Sequence, residues 1–268
     1  NPPSAKKISF TKSFMSIGKN TDKRLASVRP YITIWILSKM QRVCLDKNTH
    51  KTATYKILGY KMRSFKFKKT DPLFSTPLCL FELDNIAELN KNLISESRAW
   101  RKQEKGANVS NQGDSWHSPD GLMTRGDPGF SEISKMIPQI AAQYALQINP
   151  NLDIKNFRFE ANAWVNINRK GGFNTVHHHG TYHVSGVYYV KQPARATGQS
   201  GMIELINSRF DHHIFSQIGG QSFAPSVKMR PDVGSMLVFP STLLHFVFPN
   251  ETDEERISIA WNLRFVRK

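Results

Sequence analysis

The sequence predicts a mainly β fold with flanking helices, closed into a barrel or sandwich, and three observations carry that prediction. From Phe157 onward the chain alternates with period 2. Phe157, Phe159, Ala161, Ala163, Val165 and Ile167 share one side; Arg158, Glu160, Asn162, Trp164, Asn166 and Asn168 share the other. Beyond it come short apolar runs at 184–191, 201–206, 235–240, 245–248 and 256–266, separated by Gly171-Gly172, Pro193, Gly198, Gly219-Gly220, Pro231 and Pro249-Asn250. Many short strands so punctuated indicate a barrel or sandwich. Before Phe157 the period is helical instead.

Residues 1–61 have no sustained period and carry 13 Lys and Arg against Asp22 and Asp46, a net of +11 out of +16 for the chain. They read as a basic N-terminal extension outside the fold, disordered or upstream of a natural start, with Met62 opening the folded domain 62–268. Residues 71–83, with Pro72 and Pro77, read as extended, because a residue before proline avoids the helical region. Asp84 is then expected to cap a helix with Ile86, Leu89 and Leu93 at i, i+3 and i+7, ending before Gly106. Residues 108–128 are polar and turn-rich, a long loop anchored by Trp116 and Leu122. Ser131 should open a second helix with Ile133, Met136, Ile140, Tyr144 and Ile148 on one face, kinked or started by Pro138. Helical support thus spans 84–150 and the β core 157–266.

Composition narrows the class. No run reaches the roughly 18 to 20 apolar residues that span a bilayer, Tyr31–Leu37 being too short, and the first 30 residues lack the apolar stretch of a secretory signal. Cys44 and Cys79 form no framework and read as free thiols of a reducing, cytoplasmic compartment. Once the extension is set aside, the remaining net of +5 hints only weakly at nucleic acid.

Chemistry concentrates in a few residues. His177 and His179 flank one residue, so in an extended segment both imidazoles point to the same side and can reach one metal ion. His245 stands 68 positions after His177, where an apolar strand leaves a turn, a good place for an inward third ligand. His178 should point away, His183 should lie inside the next strand, and His212 and His213 read as surface. On the last strand Arg256, Ser258, Ala260 and Asn262 share one face, and Ile257, Ile259, Trp261 and Leu263 the other. A buried arginine requires an anion, and its planar fork suits a carboxylate in two-point contact. The competing reading is a surface ion pair with Glu254 or Glu255.

With these residues in view, the chain resembles the Fe(II)/2-oxoglutarate-dependent oxygenases, and within them a subgroup common in bacteria and phages. The resemblance rests on Trp164–Asn168, Phe173–His179, Ser185–Val190, Gly234–Pro240, His245 and Arg256–Asn262, with Leu73–Pro77 and Ser110–Ser118 upstream. It covers roughly 62–268. It implies a double-stranded β-helix, the jelly-roll or cupin-like core, with Fe(II) and 2-oxoglutarate as cofactors. It implies hydroxylation coupled to the loss of CO2 from 2-oxoglutarate, which leaves succinate, and Arg256 with Ser258 as the grip on the co-substrate's far carboxylate.

By position Asn166 and Tyr188 are further candidates for the co-substrate pocket, and Trp116 and Asn262 for the substrate pocket; packing is the competing role. The superfamily usually holds iron with two histidines and a carboxylate, yet here the middle position is His179. Either three imidazoles bind the metal or His179 stays outside. The expected substrate is a small molecule or a protein side chain. A cupin-like binding module without turnover and a nucleic-acid demethylase of the same superfamily are the alternatives. No membrane partner is expected.

Overall fold

The computed structural model describes residues 67–69, 71, 73–209 and 224–268. The boundary expected at 61/62, Cys44, His212 and His213 therefore lie outside the described residues. One compact unit spans Pro72–Lys268.

Two twelve-residue strands form its centre. β4 (Phe157–Asn168) and β11 (Arg256–Arg267) pair antiparallel along their whole length, from Arg256 opposite Asn168 to Arg267 opposite Phe157. Around them β1 (Cys79–Glu82), β3 (Ser115–His117), β6 (Val184–Lys191) and β9 (Ser235–Pro240) complete a six-stranded sheet in the order β1-β9-β6-β11-β4-β3. A second sheet contains β2 (Asn111–Gln112), β5 (Phe173–His177), β7 (Ile203–Ile206), β8 (Ser226–Met229) and β10 (Leu244–Val247), in the order β2-β5-β10-β7-β8. From β4 onward successive strands fall alternately in the two sheets, except β7 and β8, which are neighbours in the second. That antiparallel winding is the jelly-roll, or double-stranded β-helix, expected from the sequence.

Helix α1 (Ile86–Gln103) and helix α2 (Pro128–Ile148) cover the outer face of the larger sheet. Ala163, Val165, Ile167, Ile257, Ile259, Trp261 and Leu263 meet Leu89, Leu93, Trp100, Phe130, Ile133, Ile137 and Tyr144 there in one buried cluster. At about 1.5–3 kcal/mol for each large apolar side chain withdrawn from water, this layer is the main hydrophobic contribution to the fold. Gly186 belongs to it for a steric reason: a Cβ would stand 2.3 Å from the Trp261 ring, so only glycine lets the indole lie against β6.

Both helix starts differ from expectation. The cap of α1 is Asn85 rather than Asp84; it sits at φ 54° without a side-chain cap bond. β1 stays hydrogen-bonded as far as Leu83, whose N–H donates to Gly234 O at 3.1 Å. The reversal into the helix then falls on one residue, and asparagine tolerates left-handed backbone. α2 begins at Pro128 instead of Ser131. Proline suits the first helical position, and Glu96 of α1 accepts the N–H groups of Gly129 and Phe130 at 2.8 and 2.9 Å, a cap from another helix that no local pattern reveals. Pro138 lies inside α2. The buried stripe is Phe130, Ile133, Ile137, Ala141 and Tyr144, with Met136 and Ile140 at its margin and Ile148 exposed.

β6 and β9 have the expected ends; β7, β10 and β11 differ by one or two residues, within the fraying of strand termini. β1, β2, β3, β5 and β8 are short strands that alternation alone does not delimit. Trp116 and Leu122 do anchor the polar stretch 108–128, both being buried.

Candidate metal centre and co-substrate pocket

The inner face of the larger sheet is laid out in rows, because residues opposite each other on neighbouring strands share a face. The deepest row is Asn168 and Arg256; then come Asn166, Ser258 and Tyr189; then Trp164, Ala260 and Val187; then Asn162, Asn262 and Ser185. Successive rows lie about 6.6 Å apart, two residues of strand rise.

Opposite, on the smaller sheet, β5 and β10 put His177 directly across from His245. β5 ends at His177, so His178 and His179 lie beyond the strand. His179 follows in the connection, held by its N–H donating to Ser241 O at 2.7 Å. The ligating nitrogens of His177, His179 and His245 all lie within 4.8 Å of one another.

Two backbone contacts orient these rings. Nδ1 of His177 stands 2.6 Å from Thr175 O, and Nδ1 of His245 stands 2.9 Å from Leu243 O. A carbonyl can only accept, so each Nδ1 carries the proton and each Nε2 keeps its lone pair for a metal. Burial lowers the pKa of all three, with the neighbouring imidazoles adding to the effect for His179, which falls to about 3, and for His245, which falls to about 4. Three neutral nitrogen donors converging on one point fit a divalent transition metal such as Fe(II). His178 is exposed and its Nδ1 accepts from Gly180 N–H. His183, also exposed, precedes β6 instead of lying within it.

Arg256 is 1% exposed. Its guanidinium donates to Gly201 O at 3.2 Å, to Ser258 Oγ at 3.2 Å and to Asn168 Oδ1 at 3.4 Å, and lies 5.3 Å from the Tyr189 ring centroid. Among the described residues no carboxylate pairs with it. Glu255 is taken by Arg98, Arg101 and Arg169, and Glu254 accepts from Ala194 N–H. A buried cation whose partners are all neutral has its electrostatic complement still to come. A run of contacts joins this end of the barrel to the histidines: Asn168 Nδ2 to Asn174 Oδ1 at 3.4 Å, Asn174 Nδ2 to Ser110 Oγ at 3.3 Å, and Ser110 Oγ to His177 Nε2 at 3.5 Å.

Asn166, Ser258 and Arg256 line the same cavity as the three imidazoles, and among the described residues the buried Oδ1 of Asn166 has no partner. Asn262 is buried on the inner face, accepting from Ser185 Oγ at 2.7 Å. Two candidates fall elsewhere. Tyr188 faces the helices, its hydroxyl donating to Asn90 Oδ1 at 2.8 Å, and the residue that enters the barrel is Tyr189. Trp116 packs in the helix layer against Trp100, its indole N–H bonded to Glu104 O at 3.0 Å. Its neighbour His117 stacks instead on Trp164, with centroids 5.3 Å apart, and Trp164 in turn lies 5.4 Å from His179. In both pairs the error is one residue, which on a strand exchanges faces. Asn168, Asn174, Ser110 and His117 were not singled out in the sequence. An inward polar residue on a strand flanked by apolar neighbours is the signal that could have found the first two.

The cavity itself is narrow, about 30 Å³, room for no more than a few water molecules. Admission of a larger ligand therefore requires lining side chains to move apart.

A jelly-roll whose inner face gathers three neutral imidazoles, in one cavity with a buried guanidinium that no described carboxylate pairs, can hold a metal ion beside an acidic ligand. Residues 162–262 match the family model described as "Putative 2OG-Fe(II) oxygenase", a match that supports the 2OG-Fe(II) oxygenase superfamily and an enzyme using Fe(II) and 2-oxoglutarate. Among solved structures the chain is similar to a Pseudomonas putida prolyl-4-hydroxylase, with 20% identity, 73% of this chain and 95% of that one covered, and a TM-score of 0.50. It is also similar to a prolyl hydroxylase from Trichoplax adhaerens in complex with a hypoxia inducible factor peptide (14% identity, 70% and 83% covered, TM-score 0.49). A third is HygX from Streptomyces hygroscopicus with nickel, 2-oxoglutarate and hygromycin B bound (12%, 70% and 83%, 0.49). At these identities the likeness is one of fold. No curated protein matches the chain.

Proposed function

We propose that this oxygenase is a hydroxylase that releases succinate and CO2, with His177, His179 and His245 as metal ligands and Arg256 and Ser258 as the grip on the far carboxylate of 2-oxoglutarate. The observation that carries the reading is the pairing of three convergent imidazole nitrogens with a buried guanidinium that lacks a carboxylate of its own. Bound Fe(II) with 2-oxoglutarate supplies the oxidising power; the chain's own work is to hold, orient and shield. Thr175 and Leu243 fix the tautomers of two ligands. Burial keeps all three rings neutral and able to bind. Asn166, with an unpaired buried oxygen between the metal row and Arg256, is positioned to contact the co-substrate. Three imidazoles leave the site one negative charge short of the usual carboxylate-containing set, so the co-substrate dianion itself brings the neutralising charge.

The catalytic unit in this reading is 62–268, with 1–61 a basic extension. The substrate is a small molecule or a protein side chain, and the setting the cytoplasm, in keeping with the free thiol of Cys79. No helix among the described residues is long and apolar enough to cross a membrane.

The test is anaerobic loading of the full chain with Fe(II) and 2-oxoglutarate, then admission of oxygen and assay of succinate. Succinate formation that Arg256→Ala abolishes supports the reading. Metal retention without any loss of 2-oxoglutarate would point to a cupin-like binding module, and salt-sensitive binding of DNA or RNA by the unit without its extension would favour a demethylase.

A further inference from the structure

Beyond the metal, away from Arg256, the inner face ends in a row of small neutral polar groups. Asn162 on β4 pairs with Asn262 on β11, which pairs with Ser185 on β6. Ser185 is already committed: its Oγ donates to Asn262 Oδ1 at 2.7 Å and lies 2.8 Å from Ser241 Oγ. With its oxygen occupied, Asn262 has its Nδ2 donor left to offer. Asn162 is in the opposite condition, its Oδ1 being buried with no hydrogen-bond partner among the described residues. A buried acceptor left unpaired costs stability, which a ligand N–H or O–H would recover.

The next row outward is Glu160 opposite Arg264, at the exposed rim, where the two side chains form an ion pair at 3.7 Å. Arg264 is further held by Thr181 O, and Glu160 by Arg158. Glu160 thus faces two arginines at the rim, while the row behind them contains no charge.

Resting on the oxygenase reading, we propose that Asn162 and Asn262 form the substrate-recognition row, and that they read an uncharged group presenting donor and acceptor together, namely a carboxamide or peptide amide. Its N–H meets Asn162 Oδ1 and its carbonyl accepts from Asn262 Nδ2. One row, about 6.6 Å of strand rise, separates this pair from Trp164, whose ring lies 5.4 Å from that of His179, so an amide held here lies beside the metal site. A carboxylate in its place would confront Asn162 Oδ1 with a second acceptor; an ammonium would leave Asn262 Nδ2 without one.

The test uses the full chain with Mn(II), which occupies an iron site without turnover, and 2-oxoglutarate, retention of both being checked first by equilibrium dialysis. Failure to retain them would overturn the oxygenase reading and this inference together. The probes are isovaleramide, its acid isovalerate, and the cation isoamylammonium, which share one alkyl group and differ in whether an amide, a carboxylate or an ammonium ends it. Broadening of their methyl proton resonances by Mn(II) reports proximity to the metal. We expect the neutral amide to be broadened at concentrations at least tenfold below those needed for either charged probe. Asn162→Asp, and separately the isosteric Asn262→Asp, should transfer the preference to isoamylammonium by a similar factor. Equal broadening of all three probes, broadening of none with metal and 2-oxoglutarate retained, or an unchanged preference in both variants would overturn the inference alone.

Discussion

The two faces of the β4–β11 pair are equally buried but chemically opposite. Outward, toward the helices, are Ile257, Ile259, Trp261 and Leu263; inward are Arg256, Ser258, Ala260 and Asn262, from 1% to 7% exposed. The outer face stabilises, and nearly any apolar set of the right volume would serve it. The inner face withholds polar groups from water, and its charge and unpaired oxygens cost stability until ligands complete them. A strand buried on both sides therefore divides its residues between holding the fold and performing its chemistry, one position at a time.

The most severe way to break this division is at the metal row. His245→Ala should remove metal binding and lower 2-oxoglutarate turnover at least 1,000-fold, beyond the roughly 10–100-fold typical of losing a group that only supports a ligand. Metal content after dialysis and succinate release measure it; a variant that keeps both would remove His245 from the centre. At the deepest row the two properties should separate. Arg256→Met is expected to weaken 2-oxoglutarate binding at least 100-fold while leaving the ligand-free chain as stable or more stable, because a buried guanidinium without a carboxylate partner is replaced by an apolar chain of similar length. Calorimetry for the ligand and thermal melting for the apo chain give the two answers. A large drop in melting temperature would mean that Arg256 is structural.

On the outer face the expectation reverses. Trp261→Ala should cost about 3–5 kcal/mol through its cavity, read from denaturant unfolding. The finest contrast is the adjacent pair on β6. Tyr188→Phe leaves Asn90 Oδ1 unpaired and should cost about 1 kcal/mol without altering 2-oxoglutarate affinity, whereas Tyr189→Phe should alter that affinity and cost less stability. The reverse pattern would mean the faces of β6 are misassigned.

Acid provides the last test. Unfolded imidazoles titrate near 6.5, while folded His179 and His245 stay neutral down to about 3 and about 4. Between those values the unfolded chain binds the additional protons, so the stability of the metal-free protein is complete above pH 6.5 and falls as the pH drops through that window. Melting temperatures from pH 7 to 5 should show the slope, and His245→Asn should reduce it.

The sequence alone carried the strands with sustained alternation, the helix count, the spacing of His177, His179 and His245, and the inward face of β11. These follow from periodicity, which is local, and from a resemblance concentrated in the same stretch. Tertiary structure decided what local pattern cannot encode. It caps α2 with Glu96 from another helix, tells Tyr189 from Tyr188 and His117 from Trp116, and joins Arg256 to His177 through Asn168, Asn174 and Ser110. It also leaves Asn162 Oδ1 without a partner. The reason is physical: alternation sorts residues into two sets, but which set surrounds the chemistry depends on what packs against each face, and that is fixed only when segments distant in the chain meet.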